Sequence, residues 1–221
     1  LGDRIRLQTD PEDPGIYVRS MAARDRLGGL AEITVAAMVL MRAVYDVVLI
    51  ETVGVGQSET DVRGAADTVI FCVQPGSGDS LQFLKAGIVE IPDIMVVTKS
   101  DMEQQARQAR ADIKSAIRVT EAAEASASHW PVKVLSVSAA KGEGVEALIE
   151  AADSHMAWLG QRNRLADKRR AQAQEWLVDG VRERFGREGL KHAGPLELGP
   201  GESPFGALAE VSRKLRASSK A

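Results

Sequence analysis

Five short runs rich in Val, Ile and Leu recur along the chain: IYVR (16–19), DVVLIE (46–51), TVIFCV (68–73), IMVVTK (94–99) and VKVLSVS (132–138). Each is a continuous apolar stretch rather than an alternation of apolar and polar residues. A strand of that kind is buried on both faces, as in a parallel sheet with helices packed on either side. The segments between the runs supply the helices. Leu30 to Tyr45 is apolar nearly throughout and predicts a buried helix. Ser58 to Ala66 opens on a capping serine, and Ser80 to Val89 is closed off by Pro92. Ser100, with Glu103 three residues on, forms a capping box for a polar helix running to about Thr120. Val145, Leu148, Ile149, Ala152, Met156 and Leu159 recur at helical spacing. Strand and helix alternate, which predicts an α/β fold: a mainly parallel sheet with right-handed crossovers and helices on both faces.

Past Leu159 the pattern changes. GQRNRLADKRRAQAQEWLVDGVRERFGREG has charged faces and an apolar set in Leu165, Trp176, Leu177, Val181 and Phe185. It predicts a long exposed helix ending near Gly186 or Gly189. GPLELGPGESP reads as a loop, and Ser203 caps a last helix with Pro204 in its first position. Residues 1–160 are therefore expected to form the sheet domain. Residues 161–221 form a helical arm with too little core to stand alone, a candidate dimerisation element.

Lys and Arg number 28 and Asp and Glu 31, a net charge of −3, which gives no reason to expect nucleic acid or an anionic membrane as a partner. No run reaches the length of a transmembrane helix. The single cysteine, Cys72, excludes an intrachain disulfide and fits a reducing, cytoplasmic setting. Within its apolar run it reads as a buried small hydrophobe rather than a nucleophile. The chain opens on LGDRIRL, without Met, which suggests a fragment beginning inside a domain.

Three loops carry chemistry, and each follows a strand at the edge where open α/β sheets bind ligands. The first is ETVGVGQSE (51–59). An acid at the end of a buried strand is costly without a cation or donors to hold it. Glycines beside it let a backbone approach a ligand closely. Glu51 is thus a candidate magnesium ligand, Gly54 a backbone donor to a terminal phosphate, and Gln57 a candidate for orienting water. The bland alternative is a strand-end acid capping a turn. The second loop is Thr98-Lys99-Ser100-Asp101. A carboxylate there can accept from the ring N–H and the exocyclic amine of guanine, a donor pair adenine lacks, while the lysine stem covers the ring. The alternative is that Ser100 and Asp101 only start a helix. The third is SVSAAKGEG (136–144), where Ser138 and Ala139 stand where a backbone N–H meets the guanine carbonyl, or else form an ordinary strand-to-helix turn. Acid-x-x-Gly, Lys-x-Asp and Ser-Ala in that order, each closing a strand, point jointly to a GTPase.

LGDRIRL, YVRSMAARDRLGGLAE, VVLIETVGVGQSE, the stretch from Asp67 to Asp101 and SAAKGEGV together resemble the MeaB/ArgK-type members of the P-loop GTPases, from Leu1 to about Val145 and more thinly beyond. The resemblance implies a GTP-hydrolysing guardian of adenosylcobalamin-dependent methylmalonyl-CoA mutase, coupled to cofactor loading and working as a homodimer through its C-terminal region. It implies that Asp3 joins Glu51 around Mg²⁺ and that Gly54 and Gly56 belong to a switch loop sensing the terminal phosphate. It also implies that Lys99, Asp101, Ser138 and Ala139 hold the guanine of GTP or GDP. Arg19 and Arg24, in the segment expected to be mobile, are better read as solvated or structural than as arginine fingers.

Two departures from the family pattern stand out. No Gly-x-x-x-x-Gly-Lys-[Ser/Thr] loop occurs anywhere in the chain. In the family that phosphate cradle precedes the Gly-Asp-Arg stretch, together with the first strand. The chain alone is accordingly expected to bind GTP poorly and to expose a sheet edge. The other departure is Thr98, where the usual guanine loop has Asn. Two other functions stay open at this point: a kinase of a periplasmic transport protein, attached to ArgK-type names, and a non-catalytic, truncated interaction module. His129, His155 and His192 are far apart and lack metal-ligand spacing with each other or with Cys72, so surface or helix-face roles are expected.

Overall fold

Three of the five apolar runs form the sheet. β1 (Ile70–Val73), β2 (Ile94–Val97) and β3 (Lys133–Ser136) pair in parallel in that order. Ile70 lies opposite Ile94, and Ile94 opposite Lys133. The computed structural model describes residues 13–21, 32–52, 62–76, 92–123 and 129–218. The chain divides into two units, Leu1–Ala65 and Ala66–Ala221, and the sheet lies in the second.

Successive strand residues point to opposite faces. Val73, Met95 and Val97 pack with Ala106, Ile113 and Ile117 of α2 (Glu103–Ala123). Ile94 and Val96 face the other way, onto Val137 and onto Ala151 of α3 (Val145–Gly160). All four residues of the central strand are buried, which explains its unbroken apolar sequence. Among the described residues β1 is an edge strand, and Ile70 and Cys72 on one of its faces are exposed, whereas Val73 on the other is buried. Cys72 is therefore not the buried hydrophobe its sequence suggests. Only one side of the edge strand is packed into a core cluster, and the thiol is on the other. Helix α2 opens at Glu103, not at Ser100, because residues 98–102 are used in a turn that ties strand ends together.

In the first unit, Glu32–Met41 is helix α1. Met38 is buried, while Ile33 and Leu40 are 61% and 70% exposed, so the expectation of a fully buried helix fails. The runs at 16–19 and 46–51 are not strands. A strand exists only where a neighbour meets its N–H and C=O groups, and among the described residues no ladder includes these runs. Val47 and Leu49 are 74% and 88% exposed. The expected helix at 80–89 lies outside the described residues, as do the first residues of the one at 58–66.

After α3 the chain turns through Gln161–Asn163, where Arg162 and Asn163 take left-handed φ of 53° and 63°, into α4 (Arg164–Ala193). Gly186, at φ 68°, breaks that helix near the expected end, yet the helix resumes to Ala193. α4 and α5 (Pro204–Ser218) bury Leu177, Val181, Ala207 and Leu208 between them, with Trp176 against Phe205 at 4.6 Å, so this arm has a small core of its own. It is also pinned to the chain just before β1. Arg169 clasps the Asp67 carboxylate through Nε (2.9 Å) and Nη2 (2.6 Å). Lys168 and Gln172 donate to the carbonyls of Asp67 and Ala66 at 2.6 and 2.8 Å.

At the sheet edge where the strands begin, Asp93 is a hub. Its carboxylate accepts from the Val69 N–H at 2.8 Å and stands 3.6 Å from the Lys168 ammonium and 3.3 Å from His155 Nε2. His155 is 1% exposed, and its Nδ1 is 2.8 Å from the Thr68 hydroxyl. A carboxylate only accepts, so Nε2 carries the imidazole proton and Nδ1 accepts from Thr68. This is the neutral ring, and it lies among Trp130, Trp158, Lys133, Asp67 and Lys168. Burial lowers the His155 pKa from 6.5, against the attraction of Asp93. A proton that the unfolded chain binds more readily than the folded one destabilises the fold as it becomes available. The His155 contribution is thus full above about pH 6.5 and declines as pH falls below it. Urea midpoints taken between about pH 8 and about pH 5.5 should fall with acidity, and His155→Gln should flatten that slope. An unchanged slope would show that folding does not lower the His155 pKa.

Candidate functional site

Parallel pairing brings the segments after β1, β2 and β3 to one edge of the sheet. The loop after β2 is strung between its two neighbours. Thr98 N–H donates to the Val73 carbonyl at the end of β1 (2.9 Å), and the Thr98 hydroxyl donates to the same oxygen (3.2 Å). Ser100 N–H donates to the Val137 carbonyl beyond β3 (3.1 Å). Between these ties Lys99 has φ 49°, the left-handed region that non-glycine residues seldom occupy. Met102 N–H closes the turn on the Lys99 carbonyl at 2.9 Å.

This geometry delivers Asp101 to Ser138. The Ser138 hydroxyl donates to Asp101 Oδ1 at 2.6 Å, and the Asp101 backbone N–H bonds its own carboxylate. Ser138 is fully buried, whereas Asp101 is open to solvent. The Ser138 bond above all, then the backbone N–H and the charges of Lys141 and Lys99, hold the Asp101 carboxyl below its ordinary pKa. The group is ionised at neutral pH and acts purely as an acceptor. Lys141 escaped the sequence reading because it falls outside the Lys-x-Asp and Ser-Ala patterns.

The loop after β3 is locked by its own backbone. Ser138 and Glu143 exchange N–H···O bonds of 3.0 and 3.1 Å, and Lys141 N–H reaches the Ser138 hydroxyl at 3.3 Å. Ala139 follows at the exposed tip. Gly144 ends the loop at φ 77° and precedes α3, and a Cβ built on it would overlap the Ser136 carbonyl oxygen.

Lys99, Asp101, Ser138 and Ala139 are thus gathered at one edge. Glu51 belongs to the first unit and is exposed in irregular backbone. Asp3, Gly54, Gly56 and Gln57 lie outside the described residues. Among the described residues no three His, Cys, Asp or Glu side chains converge as a metal cage, which also holds for Asp93 and the buried His155. The described part of the chain therefore presents at this edge an ionised carboxylate able to accept hydrogen bonds. No described helix is long and apolar enough to cross a membrane.

The family described as methylmalonyl-CoA mutase-associated GTPase MeaB matches residues 1–192. A Pyrococcus horikoshii protein named "Putative GTPase" is 40% identical over 181 residues, which make up 79% of this chain and 55% of that protein. The mitochondrial methylmalonic aciduria type A homolog of Mus musculus is 34% identical over 186 residues, 83% of this chain and 44% of its own. The crystal structure of LAO/AO transport system kinase superposes with a TM-score of 0.55 at 26% identity, covering 83% of this chain and 62% of that one. The chain spans about half the length of the curated relatives it matches.

Proposed function

The chain belongs to the family of methylmalonyl-CoA mutase-associated GTPases, MeaB, and we propose that in the whole protein this sheet edge binds GTP and takes part in hydrolysing it. The observation that carries this reading is the Asp101 carboxylate, ionised, with one oxygen held by Ser138 at 2.6 Å and fixed at the junction of two parallel strand ends. Such a group accepts the paired N–H donors of guanine. Lys99 covers the ring, and the Ser138–Ala139 backbone meets the guanine carbonyl. Gly54 and Gly56 sense the terminal phosphate by their amides, and Gln57 orients the attacking water, with Glu51 at the head of the same loop. Mg²⁺, for which Asp3 and Glu51 are the ligands expected from the family likeness, would supply positive charge to the phosphates. Donors preorganised around the transferring phosphoryl group stabilise the charge that develops there. Loss of the terminal phosphate then releases the switch segment and alters the fit to a partner. The family description supports methylmalonyl-CoA mutase as that partner. We place the protein in the cytoplasm as a homodimer joined through the arm at 161–221, with residues 1–160 as part of the GTPase domain and the whole serving as chaperone and regulator of the cobalamin enzyme.

A second reading has one finding in its favour: the solved neighbour is called a transport system kinase. GTP labelled in its terminal phosphate separates the two. The GTPase reading expects the label as free phosphate, released faster in the presence of the mutase. Label carried on a protein would instead establish phosphotransfer and overturn it.

A further inference from the structure

We propose that one flank of α2 is a docking surface for an acidic face of a partner protein. Arg107, Arg110, Lys114 and Arg118 recur at intervals of three and four residues, so they line one side of the helix, and all of them are exposed. Their register is unfavourable within the chain. Lys114 has Arg110 four residues before it and Arg118 four residues after it, so like charges stand one turn apart and repel. Elsewhere the exposed helices relieve such charges internally: Arg182 pairs with Asp179, Lys191 with Glu188 and Lys214 with Glu210. On α2, Glu103 reaches Arg107 alone, at 4.0 Å with both side chains 78% exposed. Asp112 lies off the stripe, where it accepts from Gln108 at 2.8 Å. Among the described side chains Arg110, Lys114 and Arg118 meet no carboxylate, and Arg110 bonds the Val134 carbonyl of β3 at 3.4 Å. A row of like charges that the fold leaves uncompensated attracts opposite charge from outside. Carboxylates on a protein face suit it better than nucleic acid or a bilayer. Among the described residues of α2 no large apolar side chain is exposed to enter a membrane. A net charge of −3 also supplies no long-range attraction to a polyanion. α2 begins two residues past Asp101, so a partner held on this flank sits beside the segment that carries the carboxylate acceptor. The name of that partner rests on the mutase reading above; the stripe itself does not.

In the whole protein, Lys114→Gln with Arg118→Gln removes charge from the stripe at exposed positions. Ala147→Glu with Ala157→Glu makes the same net change at exposed positions of α3, which packs on the opposite face of the sheet. The Kd for purified methylmalonyl-CoA mutase should rise roughly five- to ten-fold in the Gln variant and stay put in the Glu variant, mainly through slower association and with a weaker salt dependence. Lys114→Arg with Arg118→Lys, which keeps the charges, should keep wild-type affinity, and a polyglutamate peptide should displace the mutase from the wild type. Equal mutase affinity of the wild type and the Gln variant, or equal losses in the Gln and Glu variants, would overturn the inference and leave the mutase reading standing. If the wild type does not bind the mutase, that reading fails, and direct titration of polyglutamate decides the stripe. Peptide binding weakened in the Gln variant alone upholds it, and equal binding by all three proteins overturns it. Stripe-dependent binding to a DNA duplex or to phosphatidylserine vesicles, tighter than to the peptide, would assign the row to another anion and likewise overturn it.

Discussion

Replacing Asp101 by Asn in the whole protein should cut GTP affinity by about two to three orders of magnitude and raise affinity for xanthosine triphosphate. The carboxylate is an acceptor at both oxygens, and Ser138 occupies one of them at 2.6 Å. The remaining acceptor capacity is what guanine's adjacent ring N–H and exocyclic amine can use. The pair is charge-assisted, because Ser138, the backbone N–H, Lys141 and Lys99 keep the group ionised. An Asn side chain still accepts from the Ser138 hydroxyl through its carbonyl, so the loop stays folded. Its other atom is now an N–H₂ facing a donor. A site built to accept hydrogen bonds loses heavily when donor meets donor, as polar recognition sites generally do. Xanthine carries an oxygen where guanine has its amine, so the amide regains a partner with that base. Titrating both nucleotides against both proteins checks the swap. Equal affinities of the wild type and the variant for GTP would remove guanine from this site.

The part of the fold that sequence could reveal is the part set by local pattern. β1, β2 and β3 fall inside the apolar runs, and α3 falls on the residues spaced for it. The runs at 16–19 and 46–51 are just as apolar, yet they are not strands. Strand formation is settled by a neighbour's hydrogen-bonding groups, which a run of residues does not encode. The exposure of Cys72 is of the same kind: its sequence neighbours are apolar, but its burial depends on what covers one face of an edge strand. His155 was readable in principle, since it lies four residues from both Ala151 and Leu159, the buried residues of α3. Its partners were not, because Thr68 and Asp93 come from the starts of two strands 25 residues apart, and no periodicity joins them. In the candidate site, Lys99, Asp101, Ser138 and Ala139 were legible because each lies at or just past the end of an apolar run that became a strand. Thr98 was legible as a departure from Asn. That its hydroxyl reaches Val73 follows from strand pairing alone.

Gly144→Ala should be strongly destabilising, costing about 3–5 kcal/mol. Two penalties coincide there. At φ 77° any side chain is strained, which by itself costs on the order of 1 kcal/mol. The new methyl would also fall on the Ser136 carbonyl oxygen, which is backbone at the end of β3 and cannot rotate aside. Relief requires either β3 or the first turn of α3 to move. α3 carries Ala151 and the buried His155, and β3 leads into the loop that holds Ser138. Gly142 provides the control. It sits two residues earlier in the same loop at φ 69°, with nothing within 4 Å of a built Cβ, so Gly142→Ala incurs only the conformational cost. Urea unfolding followed by the fluorescence of Trp130 and Trp158 should show a midpoint lowered by about 2 M for Gly144→Ala and by about 0.5 M for Gly142→Ala, taking a slope of about 2 kcal/mol/M. The same ordering should appear in GTP affinity, because displacing β3 also displaces Ser138 from Asp101. Equal shifts in the two variants would mean that the close approach of Gly144 to Ser136 does not limit this loop.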